Sequence, residues 1–281
     1  MHSPSWPSVR NLLFALPLAT FTVACGGEGI EPDSPQAASP AVTDEAIGQT
    51  AQQITVEAPH TWRTNQPESI YASLGSSTNR TCFLSALGGN LQPAPGSLEW
   101  GMAGALMYAG EWKVFVSQTF NTALSTTVQC VTTAANRTAE VVWYNGQAAK
   151  LLGAVTADRR CFLTRIEGAG GFDSTSDYVR VWNDGLNWYL GGDLADEGGA
   201  RAMCVDIPED HGSWGWSTGA SDKTVSLAYN PGGIACFLHS LGGNFNQNNY
   251  GDGVSVDYNA GTRTWEMNVS PYKRGGASCV K

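Results

Sequence analysis

Charged residues are scarce in this sequence. They make up 15% of its 281 residues, against about 25% in a typical soluble domain. Basic residues are the rarer sign, 16 against 25 acidic residues, and the formal net charge is −9. Nucleic-acid binders carry a basic patch, so this balance argues against a nucleic-acid partner. The 33 glycines and 10 tryptophans are numerous for the length, which disfavours a helical bundle.

Histidine is also rare, with four residues in the chain. The three beyond the N-terminal segment, His60, His211 and His239, are too dispersed for a zinc motif. The sequence contains no C-x-x-C, H-E-x-x-H, P-loop or dinucleotide-binding motif. We therefore expect no metal and no cofactor.

Long hydrophobic runs are missing apart from one, Leu12–Ala24, which follows Arg10. This run is too short to span a bilayer as a helix, which needs about 20 apolar residues, and its length is typical of an export signal. We expect residues 1–24 to be a signal peptide.

The run ends in Thr22-Val23-Ala24-Cys25, which resembles the lipobox of bacterial lipoproteins. The resemblance implies cleavage before Cys25 and acylation of its thiol, so that the partner is a membrane reached through an N-terminal lipid anchor. Gly26, where an Asp tends to retain lipoproteins at the inner membrane, implies passage to the outer membrane or cell surface. The alternative is ordinary cleavage after Ala24, which leaves Cys25 a free thiol.

Residues 25–54 are rich in proline and acidic residues and contain no basic or aromatic side chain. Such a segment buries too little apolar surface to offset the entropy of ordering it. We expect a flexible linker, with a coil span of roughly 30 Å.

The remaining chain repeats three times. A Cys-Phe-Leu sequence recurs at Cys82, Cys161 and Cys236, at intervals of about 75–80 residues, which is the signature of a repeat architecture. Each copy has a tryptophan before this sequence, another behind it, and a closing Cys-Val. We place the repeat units at residues 55–133, 134–207 and 208–281.

Each unit has the pattern of short β-strands. Val179-Arg180-Val181-Trp182 alternates apolar and polar residues before an Asn-Asp-Gly turn, which is typical of a hairpin. We predict an all-β fold with five or six strands in each of three tandem disulfide-stapled units. The units are either separate small domains or one body with threefold pseudo-symmetry.

The six body cysteines are expected to be oxidised, because the export signal leads to a disulfide-permissive compartment. Pairing within each unit gives Cys82–Cys130, Cys161–Cys204 and Cys236–Cys279. The alternative joins neighbouring units through Cys130–Cys161, Cys204–Cys236 and Cys82–Cys279. We favour the first pairing, because each unit then staples itself and gains about 4 kcal/mol on the chain-entropy model.

Two possible sites of chemistry are assigned to structure. Gly215-Trp216-Ser217-Thr218-Gly219, followed by Asp222 and His239, matches the nucleophile motif of hydrolases by letter. That motif requires a strand–turn–helix elbow, and here the residues that follow lead into a strand. Asp173 and Asp177 could help to bind calcium, but we assign them to turn formation. We predict no catalytic residue, and we favour a protein that is not an enzyme.

The tryptophans divide into two groups. Six recur in every unit and are expected in the core: Trp62, Trp112, Trp143, Trp188, Trp216 and Trp265. Aromatic residues beside polar turns can stack on a sugar or anchor a protein contact. The candidate ligand-binding residues are Trp182, Trp214, Trp100, Tyr258 and Tyr108.

We therefore expect an exported, lipid-anchored binding or adhesion protein of the cell surface. Three similar units on a linker suit multivalent attachment, with polysaccharide or another surface protein as the ligand. The alternatives are a structural envelope component without a specific ligand and a secreted hydrolase.

Overall fold

A computed structural model gives the structure of residues 54–64, 71–92, 100–117, 122–132, 136–208, 210–230 and 232–281. All of them belong to the unit Gln49–Lys281. The expected signal peptide, Cys25 and the linker up to residue 53 lie outside the described residues.

The described residues form 19 β-strands and no helix, which confirms the all-β prediction. The first unit contains β1 (Thr55–Val56), β2 (His60–Arg63), β3 (Tyr71–Ser76), β4 (Arg80–Gly89), β5 (Gly101–Tyr108), β6 (Glu111–Val116) and β7 (Leu124–Thr132). The second contains β8 (Val141–Tyr144), β9 (Lys150–Ala154), β10 (Arg159–Ala169), β11 (Tyr178–Asn183), β12 (Asn187–Asp193) and β13 (Glu197–Asp206). The third contains β14 (Asp210–Ser217), β15 (Lys223–Tyr229), β16 (Ala235–Gly243), β17 (Gly253–Asn259), β18 (Thr264–Val269) and β19 (Lys273–Val280).

Each unit contains a central hairpin where the alternating pattern predicts one. The hairpins are β5–β6, β11–β12 and β17–β18, all antiparallel. The β5–β6 loop consists of Ala109 and Gly110, with φ of 52° and 79°. A two-residue loop with positive φ at both positions matches the right-handed twist of the strands, and glycine adopts that conformation without strain.

The strands form three sheets, each built from two units. The first sheet joins β1, β2, β7 and β4 to β17, β18 and β15; the second has the order β3-β6-β5-β10-β13-β8. The third has the order β14-β19-β16-β11-β12-β9. In every sheet, the Cys-Phe-Leu strand of one unit (β4, β10 or β16) pairs with the closing Cys-Val strand of its own unit and with the hairpin of the preceding unit, where the third unit precedes the first.

The joints between units repeat the same register. Val254 of β17 pairs with Leu87 of β4, and the equivalent pairs are Ala103 with Ile166 and Val179 with Leu241. Because no unit completes a sheet alone, the three units form one body with threefold pseudo-symmetry rather than separate domains.

Three phenylalanines meet where the units converge. Phe83, Phe162 and Phe237 come from the three Cys-Phe-Leu sequences, and their ring centroids lie 5.3–5.5 Å from one another. Each ring is at most 1% exposed. Edge-to-face contacts of this kind add to the energy of burial, so one sequence position supplies the centre of the body three times.

The disulfides confirm pairing within units. Each unit's Cys-Phe-Leu strand and closing Cys-Val strand hold directly opposite cysteines, which are joined as Cys82–Cys130, Cys161–Cys204 and Cys236–Cys279. The alternative that links neighbouring units is wrong, because antiparallel pairing places the two cysteines of a unit face to face.

Most of the recurring tryptophans pack in the core as expected. Trp112, Trp143 and Trp265 are at most 4% exposed, and Trp62 and Trp188 pack partly buried against the core. The expectation is wrong for Trp216, which is 43% exposed. Trp216 lies on an edge strand opposite Gly275, and the Lys223 ammonium lies 5.4 Å from its ring.

Candidate functional site

An array of aromatic and arginine side chains covers the solvent-facing side of the third sheet. On β11, Val179 and Val181 are buried, whereas the alternate residues face the other side of the sheet and reach solvent. Because side chains alternate along a strand, these residues share one face with their cross-strand neighbours. The array, called here the arginine–aromatic ladder, consists of Tyr189, Trp182, Arg180, Tyr178 and Arg274.

Ring and guanidinium contacts connect the ladder from end to end. Tyr189 and Trp182 stack with centroids 5.7 Å apart and ring planes 27° apart. The guanidinium carbon of Arg180 lies 4.7 Å from the Trp182 ring and 5.5 Å from the Tyr178 ring. The guanidinium carbon of Arg274, on β19, lies 5.7 Å from the Tyr178 ring, at the opposite end of the ladder from Tyr189. Cation–π attraction therefore holds both arginines beside aromatic rings.

Two glycines make room for the ladder. A Cβ at Gly191 would lie 3.1 Å from the Trp182 ring, and one at Gly242 would lie 2.9 Å from the Arg274 side chain. Gly242 is on β16, between the strands of Arg274 and Tyr178. The absence of a side chain there lets Arg274 reach across a whole strand to its aromatic neighbour.

The two arginines have no acidic partner among the described residues. Neither is within 4.0 Å of a carboxylate oxygen in the part of the chain that the structure describes, and Arg274 donates a hydrogen bond to the Thr175 carbonyl. Of the nearby acids, Asp193 is exposed opposite Tyr178. Asp184 accepts hydrogen bonds from two backbone amides and the Tyr189 hydroxyl. Those backbone hydrogen bonds lower the pKa of Asp184, so it is a turn-forming carboxylate.

The solvent-facing side of the second sheet is closed by its own ion pairs. Arg201 donates to Glu167 at 2.7 Å, and Arg165 Nε lies 3.1 Å from the same carboxylate oxygen. Glu140 lies 3.4 Å from Arg201 and accepts a hydrogen bond from Thr164 at 2.7 Å. Glu167 is 3% exposed and Arg165 6%, and burial lowers the pKa of Arg165. This face therefore presents no unpaired cation from the cluster.

The equivalent side of the first sheet is a polar groove of about 420 Å³. Its side chains bond one another: the hydroxyls of Thr61 and Thr127 are 2.9 Å apart, and Thr224 donates to Asn268 at 2.8 Å. At one end, the Arg63 guanidinium lies 5.3 Å from the Tyr250 ring. The lining of the groove therefore combines hydroxyl, amide and charged groups of both signs with the contact between Arg63 and Tyr250.

The five predicted ligand-binding residues do not share a face. Trp182 lies in the ladder, whereas Trp214 packs against the core on the opposite side of the third sheet. Trp100 contacts Tyr144 beside the second sheet, with centroids 5.6 Å apart. Tyr108 is 63% exposed at a hairpin end. Tyr258, 42% exposed, lines a separate cavity of about 420 Å³ with Trp265 and Gln129.

Four ladder residues were missed in the sequence. Strand alternation could have placed Tyr178 and Arg180 beside Trp182, because they alternate with the buried valines on the same strand. Tyr189 pairs with Trp182 across the predicted hairpin, so strand alternation would also have found it. Arg274 gives no sequence signal, since it reaches the ladder from β19 over a strand without a side chain at the crossing.

The two other sites of chemistry occupy structural positions. Ser217 is the last residue of β14 and pairs with Arg274, so it is not at a strand–turn–helix elbow. Asp177 is 2% exposed and accepts hydrogen bonds from the backbone amides of Ser174 and Ala195. Burial raises the pKa of Asp177. Among the described residues, no three His, Cys, Asp or Glu side chains form a group that could hold a metal ion.

The described residues contain no helix long and apolar enough to cross a membrane. Comparisons with protein-family models, with curated proteins and with solved structures found no match to this chain. The three buried disulfides indicate an exported protein, because such bonds persist in oxidising compartments.

Proposed function

We propose that this protein is a lipid-anchored binding protein of the cell surface that attaches to polysaccharide through the arginine–aromatic ladder. The observation that carries the proposal is the stacked pair Trp182–Tyr189, half-buried on a solvent-facing side of the sheet. Flat aromatic surfaces beside hydrogen-bonding groups suit a sugar ring, which has an apolar face and a rim of hydroxyls.

The surroundings of the pair support a binding role over simple packing. Arg180 is exposed, is held 4.7 Å from the Trp182 ring and makes no hydrogen bond within the described part of the chain. A guanidinium offers five donors in a fixed plane, so the ladder presents unused donors next to an aromatic surface. Pre-positioned groups lose less entropy when a ligand binds.

Binding to immobilised polysaccharides tests the proposal. Trp182→Ala in the full chain is expected to weaken binding about tenfold, an effect within the range of aromatic anchor residues. Trp216→Ala is the matched control, because Trp216 is also exposed but lies outside the ladder. If a set of neutral and acidic polysaccharides gives no binding, or if both variants behave alike, the proposal is wrong.

The anchor is tested separately. Cys25 is proposed to carry the lipid, so Cys25→Ser is expected to abolish incorporation of labelled palmitate while the folded body keeps its three disulfides. The mass of the mature chain gives an independent measurement. A mature protein that begins at Cys25 with an unmodified thiol would contradict the anchor and support ordinary signal cleavage.

A further inference from the structure

The ladder differs from the rest of the molecule in its charge. The whole chain has a formal net charge of −9, yet Arg180 and Arg274 lie on one face without an ion-pair partner among the described residues. Two cations without an ion-pair partner on one face of an acidic protein are complementary to an anion.

The geometry of Arg180 favours an anionic group that can accept two parallel hydrogen bonds. Its guanidinium lies between the rings of Trp182 and Tyr178, at 4.7 and 5.5 Å. Those contacts hold the side chain without using its N–H donors. A guanidinium fixed in this way can give two parallel hydrogen bonds to a carboxylate or sulfate group, a geometry that lysine cannot reproduce.

Arg274 supplies a second cation on the same face. It contacts the Tyr178 ring from the side of β19 and is tied to the loop carbonyl of Thr175. Both arginines therefore contact Tyr178, and the Trp182–Tyr189 pair lies at the other end of the series. An aromatic pair at one end, followed by two arginines along the series, matches a polymer whose sugar rings carry anionic groups.

We propose that the ladder selects acidic polysaccharides, with a sugar ring packed against the Trp182–Tyr189 pair and its carboxylate or sulfate group bound by Arg180 and Arg274. This inference rests on the proposed function and adds the ligand class. It makes the arginines the determinants of specificity and the aromatic pair the determinant of general sugar affinity.

Two pairs of polymers that share a backbone, one member charged and the other neutral, provide the test. Polygalacturonate is compared with the same polymer after methyl esterification, and dextran sulfate with dextran, all binding to the full chain in neutral detergent. The wild-type protein is expected to bind at least one charged polymer about tenfold more tightly than its neutral counterpart, since charge-assisted hydrogen bonds are that strong. Added salt is expected to weaken that binding by screening.

Variants separate specific recognition from overall charge. Arg180→Gln and Arg274→Gln are each expected to remove most of the preference for the charged polymer, because they lower the affinity for that polymer much more than the affinity for its neutral counterpart. Arg180→Lys is expected to restore only part of it, because the planar fork is lost. Arg63→Gln is the control: it removes the same charge from the first sheet, where Arg63 also lies against an aromatic ring.

The failures are distinguishable. Equal binding of charged and neutral polymers, still sensitive to Trp182→Ala, would overturn the inference and leave the proposed function standing. An equal effect of Arg63→Gln and Arg180→Gln would also overturn it, because net charge would then explain the preference. Binding that depends on Arg180 to vesicles containing phosphatidylglycerol, with no binding to any of the four polymers, would overturn both.

Discussion

The solvent-facing sides of the second and third sheets have different side chains at equivalent backbone positions. Counting from the Cys-Phe-Leu sequence and along the paired strands, Arg165, Glu167 and Arg201 of the second sheet correspond to Ser240, Gly242 and Gly276 of the third. The second sheet fills this area with side chains that neutralise one another. The third has a serine and two glycines there, and Arg274 extends over Gly242.

The hairpin halves of the two sheets differ in the same way. Phe115 stands where the third sheet has Gly191, and Leu106 stands where it has Trp182. At the level of Gly191, the large side chain of the second sheet is Phe115, which pairs with Gly104, whereas that of the third sheet is Arg180, which pairs with Gly191. The repeat therefore fixes the paired backbone and the buried side chains, whereas the solvent-facing positions are free to diverge.

Removing the central acid of the second sheet is expected to have the largest effect on stability. Glu167→Ala leaves Arg165 and Arg201 facing each other without a carboxylate between them. Loss of one member of a buried ion cluster costs about 3–5 kcal/mol, measured by denaturant unfolding. Glu111→Ala is the control, because Glu111 is exposed and its ion pair with Lys113 spans 3.8 Å. A loss below about 1 kcal/mol in Glu167→Ala, the range of surface pairs, would mean that the cluster does not hold the second face together.

A larger side chain at Gly191, where the second sheet has Phe115, is expected to disrupt the ladder. Gly191→Val places a side chain under the Trp182 ring, where even a Cβ lies at 3.1 Å. We expect a loss of about 1 kcal/mol in stability from overpacking and loss of polysaccharide binding to the level of Trp182→Ala. Gly215→Val, in the same sheet with no atom within 4 Å of the new Cβ, controls for the valine. Equal binding by the two variants would show that the position of the indole does not matter.

The second and third sheets each have a β-bulge just after the Cys-Phe-Leu sequence, and the residue at this bulge makes their stability depend differently on pH. The second sheet has Thr164 there and the third has His239, whose pKa is lowered by burial. Below the ordinary histidine pKa of about 6.5, the unfolded chain takes up a proton that the folded chain resists, so stability present above that pH is lost as the pH falls. His239→Thr is expected to make the decline between pH 7 and 5 shallower, by no more than about 1.4 kcal/mol per pH unit. Parallel stability curves for the two proteins would exclude this histidine as a source of the decline.

The smallest expected effect on stability belongs to the ladder itself. Arg180 is exposed and has no ion pair among the described residues, so Arg180→Gln is expected to change the free energy of unfolding by less than about 0.5 kcal/mol. Denaturant unfolding of Arg180→Gln and Glu167→Ala under the same conditions compares an exposed arginine of the third sheet directly with the ion cluster of the second sheet. A loss above about 1 kcal/mol would place Arg180 with the structural arginines of the second sheet.

Sequence reasoning reached the strands, the units and the disulfides because each has a local or repeated signal. Alternation around Val179 and Val181 encodes a strand, and the recurrence of Cys82, Cys161 and Cys236 encodes the unit. Alternation does not encode which strands of different units pair, because Leu87 can lie beside any apolar strand of suitable twist. The choice between separate domains and one closed body was therefore left open by the sequence.

The candidate site was accessible only in part for the same reason. Trp182 was selected because it does not recur, and its neighbours on β11 share its periodicity. Arg274 joins them through the empty position at Gly242, which is a contact between strands distant in the chain. Trp214 and Trp216 are two residues apart, yet one packs against the core and the other is exposed. Position along an edge strand, which the sequence does not give, separates them.

The joint between β4 and β17 sets an order of events as the chain is made. The chain grows from its N-terminus, so β4 exists well before β17, and the edge of β4 that β17 covers stays unpaired until the third unit has been made. Exposed strand edges are templates for association with other chains. The β17–β18 hairpin therefore closes the body last. Until it pairs with β4, the incomplete protein is most exposed to strand pairing with a neighbouring chain.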